Sequence, residues 1–538
     1  MPAASIELGL SLLRGSGAEV MYVYRTFGAA WVRIDPALGP QLRRHPLIDY
    51  IEPRQWFQLD RSPARVMAAK GMLAVQGGQT TPWGIKMVRA PESWSLTTGT
   101  GVKTLIIDTG IGAHDDLPAI PPVNCGGGFG GCDDGPFFHG THVAGIVLAR
   151  NNAIGVVGVA PGVDGSDLFA WGACDSNTGG CSTTEIAAGI DEGRTDSVKV
   201  ISMSLHGPFD QGVANAVAQA WQAGIVLVAA AGNHSTARPQ DNIVVYPAGN
   251  TNVIGVAGVQ TDKSFASTSP CPHPLGGQVA SNSGSHVDLA APFWALSTVG
   301  SSAYEDERQG WCGTSMATPH VTGAAALLWA QNPTWTNQQV VDRLFATALA
   351  APGQELLVGH GLVDAANAVG LGAPRIGRPL QDVSNTGGFT ASSGTALWAM
   401  TDEALPDGNT TYVVKEADDG TYTFEVKLTS LADVYNASNP AVMRLRQFVY
   451  IVDFPQNLGA VQTTMTLLQG ITQIATTTFT AQPGQYTQML DYALTSAERA
   501  AITNPADLRM RVSVRIATQD IQRRGCRVTF IEFDNNPS

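Results

Sequence analysis

Three segments hold residue types that could carry nucleophilic catalysis: IIDTGIGAHDDL from Ile106, FHGTHVAGIV from Phe138, and GTSMATPHVTGAAALL from Gly313. A serine hydroxyl is a poor nucleophile at neutral pH. It needs a base within hydrogen-bond reach, and that base needs a third group to hold it. Asp108, His139 and Ser315 supply such a set. Each segment also has an ordinary reading. DTG can be a strand-end turn, HGTH two packed histidines at a helix start, and GTSMATPH a capped helix N-terminus. DTG also occurs in peptidases that use two facing aspartates, but the later echo at 385–387 is NTG and lacks the carboxylate. Taken together, in the order Asp, His, Ser, the segments form a candidate triad.

Such a triad needs a scaffold that brings distant segments together. The runs VKTLIID (102–108), VKVISMSL (198–205), GIVLVAAAG (224–232) and NVIGVAGV (252–259) are apolar on both faces, and QGVANAVAQAWQAG between them has helical spacing. Runs of this kind separated by helices predict a parallel sheet covered on both sides. Sites in such sheets lie at the carboxyl ends of the strands. Asp108 and Asn233 both follow directly on strand-like runs.

Over roughly residues 79–370 the sequence resembles the subtilases. The three segments carry the resemblance, together with NNAIGVVGVAP at 151–161, AAAGN at 229–233 and VDLAAP at 287–292. The resemblance implies a three-layer α/β fold and a serine endopeptidase acting on protein or peptide substrates through an acyl-enzyme. It implies that Ser315 attacks, that His139 rather than His142 moves the proton, and that Asp108 orients the imidazole. The oxyanion would be held by the side-chain amide of Asn233 and the backbone N–H of Ser315. Ser204, Leu205, His206 and Gly207 would line the first specificity pocket with Ala230, Ala231 and Gly232, binding substrate as an added strand. Two positions depart from the family: His206 stands where Gly is usual, and Phe293 follows AAP where Gly is usual. Both are expected to narrow or reshape the cleft. The resemblance also implies a structural Ca2+, with side-chain oxygens from Gln79, Asp116 and Asn152 and carbonyls from Arg150, Ile154 and Val156.

Texture divides the chain into 1–77, 78–372, a linker at 373–384, and 385–538. The first region has a strand-like alternation, VMYVYRTF, a helical stretch around PQLRRHPLIDYIEP, and a flexible run, AAKGMLAVQGG. It resembles a subtilase inhibitory prosegment, with LIDYIEP (47–53) as its closing strand, so the chain is expected to be a self-processed precursor cut between about residues 70 and 79. The last region alternates Thr, Val and Tyr between turn signals. It reads as an antiparallel β-sandwich with one helix at TSAERAAI. Its partner is not specified by the sequence, and a sandwich-directed adhesion or binding protein carrying a protease module is the alternative reading.

A formal net charge of -13 argues against nucleic acid as a partner. No apolar run reaches the roughly 18 residues of a membrane span. The segment MPAASIELGLSLLRGSGAEV lacks the basic start and unbroken apolar stretch of a signal peptide. The protein is therefore expected either to be cytosolic or to begin further upstream. Cysteine spacing bears on that choice. Cys125/Cys132 and Cys174/Cys181 sit close together in loops without a CxxC metal pattern, and read as local disulfides. Cys271–Cys312 is a further expected pair, with Cys526 left as a free thiol. Disulfides imply an oxidising compartment, so the expectation is a secreted monomer.

Overall fold

The computed structural model describes residues 3–59, 78–234, 244–261, 263–267, 279–305, 311–351 and 354–372, and within 376–535 the strands, one helix and its flanking turns. The chain divides into two compact units, Met1–Gly258 with Ala266–Val369, and Val259–Phe265 with Gly370–Ser538.

In the first unit, α1 (Ala3–Gly15) precedes an antiparallel pair, β1 (Glu19–Tyr24) and β2 (Ala29–Arg33), and a short strand, β3 (Trp56–Gln58). The central sheet follows. Its strands are β4 (Thr104–Asp108), β5 (Cys125–Gly126), β6 (Leu168–Gly172), β8 (Val200–Met203), β9 (Val226–Ala230), β10 (Val253–Val259) and β11 (Leu289–Pro292), in the order β11-β10-β9-β8-β4-β6-β5. The β10–β9, β9–β8, β8–β4, β4–β6 and β6–β5 pairs are all parallel. Every residue of β4, β8, β9 and β10 is buried, as continuous apolar runs require when helices cover both faces.

On one face lie α3 (Thr183–Thr195) and α4 (Gln211–Gln222). Ile186, Ile190, Val213 and Val217 from these helices meet Leu105, Ile107, Ile201 and Leu227 from the sheet. On the other face lie α2 (His139–Leu148) and α5 (Thr314–Gln331). α5 is buried from Thr314 through Trp329, which explains its Ala-rich sequence: neighbours approach it from all sides. These layers are the expected three-layer α/β fold.

Two expectations for the N-terminal region are corrected. LIDYIEP forms no strand, and of the stretch from Pro40 to Pro53 only the end of a short helix, Gly39–Leu42, is helical. Pro46 and Pro53 lack the N–H that either element would use, and each bars its preceding residue from helical backbone. The strand that does form, β3, pairs antiparallel with β7 (Gly180–Ser182), in the register Trp56↔Ser182, Phe57↔Cys181 and Gln58↔Gly180.

The second unit contains two antiparallel sheets, ordered β16-β17-β24-β19-β22 and β15-β18-β23-β20-β21. The strands are β15 (Pro379–Asn385), β16 (Thr390–Ala391), β17 (Val413–Glu416), β18 (Gly420–Leu428), β19 (Met443–Val452), β20 (Val461–Gln469), β21 (Thr472–Ala481), β22 (Thr487–Ala493), β23 (Leu508–Ile516) and β24 (Gly525–Asn535). A further strand, β14 (Ile376–Gly377), pairs with β24. The stretch read as a linker, 373–384, thus contains strand residues of this unit instead. The register shifts between Pro379 and Gln381 and between Asp382 and Ser384 interrupt the alternation that marks a strand in sequence. The helix expected at TSAERAAI is Ser496–Ala500, fixed by reciprocal bonds between Thr495 and Glu498.

Candidate active site

Asp108 ends β4 at the carboxyl edge of the sheet and is wholly buried. His139 opens α2, and its Nδ1 lies 2.8 Å from Asp108 Oδ1. The approach of α2 to this strand end is close. A Cβ on Gly140 would collide with the Gly110 carbonyl, which accounts for the glycine after His139. His142 lies on the next turn and has a different environment. Its ring stacks on Trp311 at 4.1 Å with an interplanar angle of 8°, and its Nε2 lies 3.2 Å from the Glu305 carbonyl oxygen.

Ser315 is the second residue of α5, so its N–H is among those left without an intrahelical acceptor. Gly313 enters the helix at φ 151°, on the outer border of the region only glycine visits easily. The Ser315 hydroxyl donates to the Ser204 carbonyl at 3.0 Å, and the Ser204 hydroxyl donates back to the Ser315 carbonyl at 2.8 Å. Asn233 follows β9. Its Oδ1 accepts from the Thr314 N–H at 2.7 Å and the Thr314 hydroxyl at 3.0 Å, which fixes which end of the amide faces α5. Thr314 also accepts from the Gly232 N–H at 3.1 Å. Asn233, Thr314 and Ser315 are therefore locked into one arrangement by residues on two elements.

Beside these groups, backbone edges form a channel that β3 fills. Gln58 N–H donates to the His206 carbonyl at 2.8 Å, His206 N–H donates to the Gln58 carbonyl at 3.3 Å, and Leu59 N–H donates to the Gly179 carbonyl at 2.9 Å. Phe57 is completely enclosed while its neighbour Trp56 is 42% exposed, the alternation of a strand with one buried face. Phe57 packs in the cluster that holds Leu205, Ala173, Cys174 and Cys181. Gly207 lies directly under its ring. His206 itself is buried, with its ring edge-on to His234 at 5.3 Å. Phe293 does not reshape the cleft as expected. It is core, packed with Ala266, Val279, Trp294 and Cys312, and its carbonyl accepts from the Gly313 N–H at 2.8 Å. Ala230, Ala231 and Gly232 are all buried at the end of β9.

A second constellation lies at the far end of α2. The Gln79 side-chain Nε2 stands 2.5 Å from the Arg150 carbonyl oxygen, 3.1 Å from that of Val156 and 3.4 Å from Asn152 Oδ1. Asp116 Oδ2 accepts from the Val156 N–H at 2.8 Å, while Asp116 Oδ1 is buried with no hydrogen-bond partner. Burial pushes this carboxyl up from its ordinary range. A cage of carbonyl and amide oxygens with an orphaned carboxylate oxygen suits a hard cation. Turning the Gln79 amide over would present a further oxygen to it. Ile154 adjoins the loop through its N–H on Asn152 Oδ1 at 3.1 Å.

Cys125–Cys132 and Cys174–Cys181 are bridged. Cys312 is disulfide-bonded, and Cys271, its expected partner, lies outside the described residues, as does the Cys526 side chain. Sequence reasoning missed Asp134 and Thr109, which join the Asp108–His139 contact. The only signal was their position: Thr109 follows Asp108 directly, and Asp134 closely precedes His139.

The subtilase family profile matches residues 133–361. Subtilisin E of Bacillus subtilis (strain 168) is 34% identical over 372 residues, which cover 68% of this chain and 86% of that protein. Subtilisin of Bacillus pumilus is 39% identical over 294 residues, covering 53% of this chain and 98% of that protein. The alkaline protease of Shouchella clausii is 33% identical over 359 residues, covering 64% of this chain and 80% of that protein. With the three-layer sheet and the Asp108–His139 contact at its carboxyl edge, likeness over nearly the whole of these enzymes leaves one conclusion: the chain belongs to the subtilase family and is a serine-type endopeptidase.

Proposed function

We propose that Asp108, His139 and Ser315 carry the reaction, and the observation that carries this reading is the 2.8 Å Asp108–His139 contact at the carboxyl edge of the sheet. Ser315 Oγ leaves the Ser204 carbonyl, gives its proton to His139 Nε2 and attacks the substrate carbonyl carbon. The tetrahedral oxyanion takes donors from the Asn233 side-chain NH2 and the Ser315 N–H. His139 then protonates the leaving amine, and water repeats the sequence on the acyl-enzyme. Asp108 holds Nδ1–H throughout, so Nε2 is the basic nitrogen. Substrate lies as a strand between Gly180–Ser182 and Ser204–Gly207, with Ala230, Ala231 and Gly232 behind its cleaved residue. The path of β3 between the first two edges supports this.

Residues 1–77 act as an inhibitory prosegment, and β3 within it occupies the substrate channel. Glu52 strengthens the attachment by accepting from the Gln211 and Gly212 N–H groups at the start of α4, at 3.2 and 2.8 Å. The cut is placed between about residues 70 and 79, a stretch outside the described residues. N-terminal sequencing of the mature enzyme tests that position. The side chains of Gln79, Asp116 and Asn152 would hold Ca2+, which when bound would tie the mature N-terminus to the loop after α2. The disulfides and the relatives support a secreted enzyme. Ser315→Ala tests the whole assignment: it must abolish both casein hydrolysis and self-cleavage.

A further inference from the structure

Asp134 is 1% exposed, in the loop that leads into α2. Its Oδ2 accepts from the Thr141 N–H at 2.7 Å, and its Oδ1 makes a short hydrogen bond with the Thr109 hydroxyl. That hydroxyl also accepts from the Gly140 N–H at 2.9 Å and lies 3.2 Å from Asp108 Oδ1. Asp108 Oδ1 is the atom that holds His139, and it also accepts the Thr109 N–H at 2.8 Å. A hydroxyl has one proton and two lone pairs. One lone pair of Thr109 Oγ is taken by Gly140. Two carboxylates then compete for the single proton.

When Asp134 carries a proton, its O–H donates into the second lone pair of Thr109 Oγ, and the Thr109 proton goes to Asp108. Asp108 Oδ1 then has three donors: Thr109 N–H, Thr109 O–H and His139 Nδ1–H. When Asp134 is ionised, the Thr109 proton turns to Asp134 and Asp108 Oδ1 keeps two. With one donor fewer on its Oδ1, Asp108 draws more strongly on the His139 Nδ1–H as Ser315 attacks. Burial pushes the Asp134 carboxyl up to about 8. The titratable groups brought toward Asp134 are Asp108 from β4 and His139 from α2. Asp133 beside it accepts from the Gly135 N–H at 3.0 Å, and no ion pair to Asp134 forms among the described residues.

We propose that Asp134 is a positioning residue that acts through Thr109: its proton decides whether the Thr109 hydroxyl donates to Asp108, and so sets how strongly Asp108 draws on His139. This rests on the assignment of Asp108, His139 and Ser315 made above.

The test is the pH dependence of kcat/KM from pH 5 to 10, measured on the full chain after self-processing with a peptide substrate. Wild-type enzyme should show, besides the rise that switches on the triad, a second rise near pH 8. Asp134→Asn, which keeps the shape and mimics the protonated acid, should lose the second rise and leave the alkaline plateau about threefold to tenfold lower, the equivalent of one hydrogen bond. KM should stay unchanged. Thr109→Val should lose the rise as well, Thr109→Ser should keep it, and the double variant should be no worse than either single one. If Asp134→Asn does not yield folded protein, the Thr109 pair still decides, as does the His139 Nδ1–H proton resonance in Ser315→Ala protein, which should move near pH 8. A profile of Asp134→Asn that superimposes on wild type, additive losses in the double variant, or a resonance that does not move near pH 8 overturns the proposal. Activity in Ser315→Ala would instead overturn the triad assignment on which it rests.

Discussion

The cluster of Asp108, His139, Asn233 and Ser315 and the strand that runs beside it are built on opposite principles. At the centre, Asp108, His139, Asn233 and Ser315 are held through side-chain atoms, each with a specific partner and little freedom to be another residue type. In the channel, β3 is held by N–H and carbonyl groups that any residue except proline supplies, and only Phe57 buries its side chain completely. Chemistry is thus written in residue identity, whereas binding is written mostly in backbone geometry.

If that contrast is right, substitutions should divide sharply by region. Ser315→Ala should lower kcat/KM by at least about four orders of magnitude while leaving the melting temperature nearly unchanged, because it removes the nucleophile and one small hydrogen-bond donor. Asn233→Ala should lower kcat by about 100- to 1000-fold with little change in KM, the mark of a donor used only in the transition state. In the channel, Phe57→Ala should weaken prosegment inhibition by about 100-fold, read from the inhibition constant of the released segment on mature enzyme. Trp56→Ala, one residue away and half exposed, should change it only slightly. Equal losses at positions 56 and 57 would break the backbone account.

The smallest expected effect lies at the Gln79–Asp116 cage. Chelation should lower the melting temperature of mature enzyme by about 5–10 °C, since an ion at 100 times its Kd contributes roughly 2.7 kcal/mol. Asp116→Ala should produce the same drop and remove any further effect of chelator. No change on chelation, with no calcium found by elemental analysis, would leave the cage without an ion.

The same division explains what the sequence disclosed. The Asp108–His139 contact and the β4, β8, β9 and β10 strands were legible because they depend on side-chain type: polar groups at the motifs, and unbroken apolar runs in a sheet covered on both faces. Strand β3 was not legible. Trp56, Phe57 and Gln58 have no turn signals around them and no partner strand nearby in sequence, and their pairing partners lie more than a hundred residues away. LIDYIEP looked more strand-like, yet its flanking prolines deny it a ladder. Phe293 was misread for a related reason. A large side chain next to a motif suggests a change in the cleft, but the space beside Gly258 turns it into the core. Asp134 escaped notice because a buried acid and a solvated one look alike in sequence, and only the fold encloses it.

The most direct test of the central claim is to treat mature enzyme with a fluorophosphonate and locate the adduct by peptide mass spectrometry. One adduct per chain on Ser315, absent in both Ser315→Ala and His139→Ala and formed in parallel with loss of casein hydrolysis, is the predicted result. Labelling at another serine with complete loss of activity, or full activity in enzyme wholly labelled at Ser315, would contradict it.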